Sequence, residues 1–181
     1  MPKVVLVTGM QAAGKSTVAP LLAARLGPPA ATLDGDVFYR GVVAGAEVMT
    51  PEPSAEAVRQ LELRYDATAL VAQHYADAGF DFVCSDIILG EHVEKWFAQL
   101  HGVETYLVVL NPSVESIVQR EIGRGGNNSY RDWGASLEDG VRALQAGLEE
   151  IPRRGLWLDT TGQTSEQTVA AILAGLEKAR W

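Results

Sequence analysis

Lys15 and Ser16 close the string Gly9-Met10-Gln11-Ala12-Ala13-Gly14-Lys15-Ser16-Thr17, which reads G-x-x-x-x-G-K-S. An apolar run, Val4 to Val7, precedes it and a helix-like run, Val18 to Leu26, follows. That setting suits a loop whose backbone N–H groups, Ala12, Ala13 and Thr17 among them, turn inward around phosphate oxygens. The free N–H groups and the dipole of the following helix favour the same anionic charge. Lys15 can reach the β- and γ-phosphates, and the Ser16 hydroxyl can ligate Mg²⁺. Gly9 and Gly14 suit a backbone that turns tightly and approaches phosphate closely. The ligand this implies is ATP with magnesium.

Other residues could complete phosphoryl chemistry. Leu33-Asp34-Gly35-Asp36 falls at the end of a second, weaker strand candidate, Ala30 to Leu33. In an open parallel sheet ligands bind beyond the carboxyl ends of the strands, which brings both carboxylates towards the loop. One can serve the metal and the other the acceptor hydroxyl; the spacing leaves open which does which, and an Asp-Gly turn with a helix cap accounts for the same string. Asp86 follows Phe82-Val83-Cys84-Ser85 and stands either as a carboxylate near magnesium or as an acceptor contact. Arg120 and Arg124 share a helix face and lead into a glycine-rich stretch holding Arg131. Arginines so placed can stabilise a phosphoryl group in transfer and exclude water. Among Arg40, Arg59 and Arg64, only Arg40 rises above an ordinary helix-surface residue as a contact for the acceptor. His74, His92 and His101 have no metal-ligand spacing, and Trp96, Trp157 and Trp181 read as packing.

The elements that must hold these residues follow a simple alternation. Strand-like runs at Val4–Val7, Asp81–Cys84, Thr105–Leu110 and Leu156–Leu158 are each followed by a helical stretch. Strands apolar on both faces, alternating with amphipathic helices, predict a parallel sheet covered on both sides. A long helix opens at Pro53-Ser54 and runs to Ala78 before Gly79, with Leu61, Tyr65, Leu70, Val71 and Tyr75 as its apolar set. Further helices are expected over Glu91–Leu100, Ser113–Ile122, Ser136–Glu150 and from Thr164 or Ser165 to Lys178. Residues 37–53 and 123–135 fit no regular element; they read as a substrate segment and a lid on one P-loop domain spanning 1–181.

The 181 residues are 47% hydrophobic and 21% charged, with net charge −8 and one cysteine. The acidic balance argues against nucleic-acid or membrane-surface binding, both of which reward clustered Lys and Arg. An internal disulfide is impossible, and Cys84 in its apolar run reads as a buried thiol. Met-Pro-Lys lacks a signal-peptide layout and no apolar run reaches membrane-spanning length, so a cytoplasmic protein is expected.

The pairing of G-x-x-x-x-G-K-S-T with Leu-Asp-Gly-Asp resembles the small P-loop kinases. Leu33-Asp34-Gly35-Asp36 with Arg40 resembles adenylylsulfate kinase, and Asp-x-Asp here resembles shikimate kinase; Val37 replaces the Asn that adenylylsulfate kinase carries. Over most of the chain the pattern is similar to chloramphenicol phosphotransferase and related bacterial phosphotransferases. That likeness rests on the Asp after the second strand, Ser85-Asp86-Ile87-Ile88, Arg120-Glu121 leading to Arg124, and Asp159-Thr160-Thr161-Gly162. The resemblance implies a three-layer α/β fold with a five-stranded parallel sheet in order 2-3-1-4-5. It implies Asp36 as the base, Asp34 near the metal, and the 159–162 loop beside the adenine. The expected activity is transfer of the ATP γ-phosphoryl group to a hydroxyl of a small molecule, partly apolar to judge from Phe38, Tyr39, Val42, Val43, Val48 and Met49. The alternatives are a nucleoside or nucleotide kinase, and a nucleotide-dependent regulatory protein with slow hydrolysis.

Overall fold

The computed structural model describes residues 1–124 and 130–181, without the side chains of Arg124 and Arg131. Five strands, β1 (Lys3–Gly9), β2 (Ala30–Asp34), β3 (Asp81–Ser85), β4 (Glu104–Leu110) and β5 (Leu156–Leu158), form one parallel sheet in order β2-β3-β1-β4-β5. This is the order that the resemblance implied. Helices α1 (Lys15–Leu26) and α7 (Ser165–Ala174) cover one face. The other is covered by α3 (Ala55–Asp77), α4 (His92–Phe97), α5 (Val114–Arg124) and α6 (Leu137–Glu149). A short α2 (Asp36–Gly41) lies beyond β2.

The central strands are buried on both sides, which is why they read as unbroken apolar runs. Alternate residues divide between two cores. Val5, Val7, Val83, Val108 and Leu110 meet Val18 and Leu22 of α1 and Val169 and Ile172 of α7. Val4, Leu6, Phe82, Cys84, Leu107 and Val109 meet Tyr65, Ala69, Trp96, Ile117, Val141 and Leu148.

Helix α3 begins where expected, with the Ser54 hydroxyl accepting from the Ala57 amide, and Gly79 follows it at φ 87°. Its buried stripe differs from the expected one. Ala57, Tyr65, Thr68, Ala69, Ala72 and Ala76 face inward, while Leu70 is 71% exposed. Alanines at helical spacing make a face that packs against the sheet as well as leucines do, so counting only large apolar residues misplaces the stripe by about one position. Trp96 is buried and donates its Nε1–H to Thr68 Oγ1 at 2.9 Å, giving both polar groups a partner inside the core. Two helices are shorter than expected. α4 spans only His92–Phe97, and α7 ends at Ala174 before Gly175, with a 3₁₀ turn, Leu176–Ala179, in place of its last turn. The capping residue of α7 is Thr164, which exchanges hydrogen bonds with Gln167 in a capping box.

Candidate active site

The loop between β1 and α1 owes its shape to backbone conformations few residues accept. Gly9 sits at φ 145°, and a Cβ there would run into the Leu110 carbonyl of neighbouring β4. Gly14, the N-cap of α1, sits at φ 103°; its surroundings are open, so the dihedral and not crowding demands glycine. Ala12, at φ 62°, is the one non-glycine residue with positive φ among the described residues. Such strain costs on the order of 1 kcal/mol and is characteristic of functional loops. Lys15 is almost buried, and its Nζ donates to the Gly9 and Met10 carbonyls, both at 2.8 Å. Its ammonium is therefore folded across the loop, while Ser16 and Thr17 at the start of α1 are exposed.

Two neighbours brace this loop. Arg120 on α5 donates Nη1 to the Ala12 and Ala13 carbonyls and Nη2 to the Thr160 carbonyl, each at 3.2 Å. Arg120 thus joins the phosphate loop to the 159–162 loop. A cleft of about 370 Å³ opens between them, lined by Ala13, Gly14, Thr17, Arg120, Thr160 and Thr164 among others. Within the 159–162 loop, hydrogen bonds from Thr161 hold the Asp159 carboxyl below its usual range. The second brace is Tyr130, fully buried, whose hydroxyl donates to the Gln11 carbonyl at 2.7 Å. No motif marks Tyr130, although a lone tyrosine within a polar, glycine-rich stretch was a legible hint. Residues 125–129 of the expected lid, and the Arg124 and Arg131 side chains, lie outside the described residues.

The carboxylates lie on the other side of β1. Val7, Ser85 and Asp34 are level across β1, β3 and β2, each about 4.8 Å from the next strand. Asp86 and Asp36 therefore leave the same sheet edge as the phosphate loop. The Asp86 amide donates to the Val7 carbonyl at 3.2 Å, and the Gly35 amide to the Ser85 carbonyl at 2.9 Å. Asp34 Oδ1 accepts from the Asp36 amide at 3.0 Å, an Asx turn that starts α2.

The side chains then separate in character. Asp86 has a fully buried side chain, 0% exposed, that accepts from Arg64 Nε at 3.1 Å, from Arg64 Nη2 and from the Ile87 amide at 2.7 Å. Asp86, expected near magnesium or the acceptor, meets a guanidinium fork from Arg64 in this structure. Asp36 stays 54% exposed, with Arg64 Nη2 at 3.4 Å and Arg40 Nη1 at 4.0 Å. Glycine is required at position 35, since a Cβ there would overlap the Asp86 carboxylate. Arg64, read from sequence as a surface residue, is only 10% exposed in its side chain. Its place at three residues from Leu61 and four from Thr68 puts it on the edge of the buried stripe, the signal that could have found it.

Beyond α2, Gln60 of α3 ties the 42–54 segment down, accepting from the Glu47 amide at 3.0 Å and donating to the Gly45 carbonyl at 2.8 Å. Val43 is 93% exposed there. Among the described residues no three His, Cys, Asp or Glu side chains group to hold a metal by themselves, and no helix is long and apolar enough to cross a membrane.

A family model described as an AAA domain matches residues 4–148, from β1 through the sheet edge and into α6. The chain belongs to this AAA-domain family. No curated protein matches it. Solved structures share the fold of this AAA-domain protein. A sugar kinase from Janibacter sp. superposes with a TM-score of 0.70 at 18% identity, covering 99% of this chain and 96% of that one. An APS kinase from Mycobacterium tuberculosis, in complex with AMPPNP and APS, gives 0.67 at 21% identity, covering 97% and 98%. A tunicamycin resistance protein from Deinococcus radiodurans gives 0.64 at 15% identity, covering 99% and 98%. The AAA-domain chain therefore has a kinase-like P-loop fold, with a nucleotide-binding loop at the carboxyl edge of its sheet.

Proposed function

We propose that the protein is an ATP-dependent kinase that moves the γ-phosphoryl group to a hydroxyl of a small molecule. The observation that carries this reading is the level sheet edge. A phosphate loop with Lys15 lies at β1, and an exposed carboxylate, Asp36, lies two strands away beyond β2. A nucleotide on the loop and an acceptor at Asp36 would meet between them. The acceptor hydroxyl gives its proton to Asp36 as its oxygen bonds to the γ-phosphorus; the bond from phosphorus to the β–γ bridging oxygen breaks, and ADP leaves.

Lys15 would turn from the Gly9 and Met10 carbonyls towards the phosphates and stabilise charge as the group moves. Arg120, whose Nη1 and Nη2 meet backbone carbonyls, would line the base side of the cleft; Arg124 keeps the expectation from sequence that it serves the transferring group. Magnesium fits the donors present: the Ser16 hydroxyl at the exposed start of α1 and the Asp34 carboxylate would hold it with phosphate oxygens and water, as suits an ion that keeps much of its hydration. When bound it neutralises charge on the phosphates. The acceptor would sit under residues 37–53.

ADP release from Mg-ATP tests this reading with wild type and Asp36→Asn. The acceptor panel spans hydroxylated antibiotics, nucleosides, nucleotide sugars, adenylylsulfate and sugar acids. Stimulation by one class in the wild type alone is the expected result. Equal turnover by both proteins with every acceptor would remove Asp36 from the chemistry.

A further inference from the structure

The turn of α3 that carries Arg64 is tied to the end of β3 at two successive residues. Arg64 forks onto the Asp86 carboxylate, with Nε 3.1 Å from Oδ2 and Nη2 on Oδ1. The next residue, Tyr65, donates its hydroxyl to the Ile87 carbonyl at 2.6 Å. Asp86 is itself fixed to the sheet, since its amide donates to the Val7 carbonyl of β1 and its carboxylate accepts from the Ile87 amide. The fork thus stands on a buried base, and the Arg64 side chain is only 10% exposed. From there Nη2 also reaches Asp36, 3.4 Å from Oδ1. The other oxygen, Oδ2, has a different neighbour: Arg40 Nη1, 4.0 Å away on a side chain 68% exposed. One oxygen of Asp36 therefore faces a donor locked into the fold. The other faces solvent and a loosely held surface arginine.

We propose that Arg64 is a positioning residue for Asp36: anchored on Asp86, it holds Oδ1 and leaves Oδ2 as the oxygen that takes the acceptor's proton. This rests on the assignment of Asp36 as the base. The Asx turn with Asp34 fixes the Asp36 backbone amide but not its carboxylate, which is 54% exposed. A carboxylate left to rotate spends little time in line with an acceptor hydroxyl, and a misplacement of about 1 Å costs ~100-fold in rate. The Arg64–Asp86 pair is suited to holding it. Opposite charges side by side largely cancel at a distance, so the pair gives Asp36 an N–H at a fixed point while adding little net charge to the site. A guanidinium has enough N–H groups to serve two carboxylates at once; an ammonium in its place is a point charge without the fork. Arg40, exposed and more distant, yields Oδ2 when an acceptor arrives.

ADP release with an acceptor that stimulates the wild type tests this role in Arg64→Lys and in the double variant Arg64→Gln/Asp86→Asn. The double variant replaces the ion pair by a neutral amide pair and leaves no buried charge alone. In both, kcat is expected to fall about 10-fold or more, with the acceptor KM and the Mg-ATP affinity within about threefold of wild type. In an Asp36→Asn background the same changes are expected to cost nothing further, because Arg64 acts through the carboxylate. A raised acceptor KM with kcat intact makes Arg64 a substrate contact and overturns the proposal. Wild-type kcat in either folded variant overturns it, as does an undiminished further loss on top of Asp36→Asn. A second measurement needs no turnover. The carboxyl ¹³C signal of Asp36, identified by its loss in Asp36→Asn, is expected to move in both Arg64 variants; an unmoved signal overturns the contact. Failure of the kinase reading shows separately, as ATP turnover that no acceptor stimulates in the wild type. It takes the role in proton transfer with it, and the carboxyl signal still decides whether Arg64 holds Asp36.

Discussion

The two halves of the sheet edge are built from different materials. On the nucleotide side, the backbone does the shaping: Gly9, Ala12 and Gly14 hold positive φ, and carbonyls of residues 9, 10, 12, 13 and 160 accept from Lys15 and Arg120. On the side proposed for the acceptor, side chains do it: Asp36, Arg64 and Asp86 come from α2, α3 and the end of β3 and hold one another by charge. A ligand recognised by backbone groups can be the same in every relative, because a backbone nest depends on conformation and little on side-chain identity. A ligand recognised by paired side chains changes with one substitution. Chains at 15–21% identity share this fold under names that point to unlike substrates, as expected where fold does not fix function.

The comparison is tested most severely at Lys15, whose ammonium lies across the phosphate loop. Lys15→Ala should weaken ATP binding and lower turnover together, turnover by about 10³-fold, the upper range for loss of one preorganised charge donor. Calorimetric titration with Mg-ATP alongside ADP release checks it, and unchanged ATP affinity would mean that the backbone nest suffices alone. Next in size is Asp86→Ala on the acceptor side. Removing one partner of a buried ion pair costs about 3 kcal/mol or more, because the other charge stays buried. The midpoint of urea unfolding should fall accordingly. A loss under ~1 kcal/mol would show that Arg64 finds Asp36 or solvent without penalty, and the acceptor half would then be a loosely held surface.

The same division explains what the amino-acid sequence made legible. The nucleotide loop was readable because Gly9, Gly14, Lys15 and Ser16 lie within eight residues and each type is demanded by a local conformation or by phosphate. The sheet was readable because buried parallel strands are apolar throughout, and the strand order followed from family resemblance. Arg64 was not readable as a site residue. Its partners are 22 and 28 positions away, and an arginine on a helix has no local mark that separates a buried fork from a solvated end. The Arg64 partner of Asp86 was hidden for the same reason, since a carboxylate after a buried strand looks alike whether or not an arginine meets it. The α3 stripe was misplaced because alanine carries little weight in an apolar pattern even where it makes the closest packing.

Asp36→Asn gives a smaller effect but a sharper division between the halves. The amide keeps the size of the carboxylate and loses the proton-accepting charge. Turnover with an effective acceptor should fall at least ~100-fold, the usual scale for a general base, while Mg-ATP affinity stays within a few-fold of wild type. Parallel loss of ATP affinity would mean that Asp36 serves the nucleotide, and the two halves would merge into one site.

The smallest effect concerns the core beneath each half. The acceptor-side core holds two groups that resist ionisation: burial pushes the Cys84 thiol up to about 12 from 9.0, and the Tyr65 hydroxyl to about 12 from 10.0. A raised acid pKa means that the folded state keeps its proton where the unfolded chain has released it. The stability from keeping Cys84 neutral is complete below pH 9 and is lost between pH 9 and 12, at up to about 1.4 kcal/mol per pH unit. Urea midpoints at pH 7.5 and pH 10 should therefore differ, with unfolding easier at pH 10. Cys84→Ala, which leaves nothing to ionise at that position, should show a smaller difference; the part that remains belongs to Tyr65 and other groups that titrate in this range. If wild type and Cys84→Ala have the same pH dependence, the thiol is solvated often enough to ionise within the fold, and the β3–α3 core opens more readily than its complete burial implies.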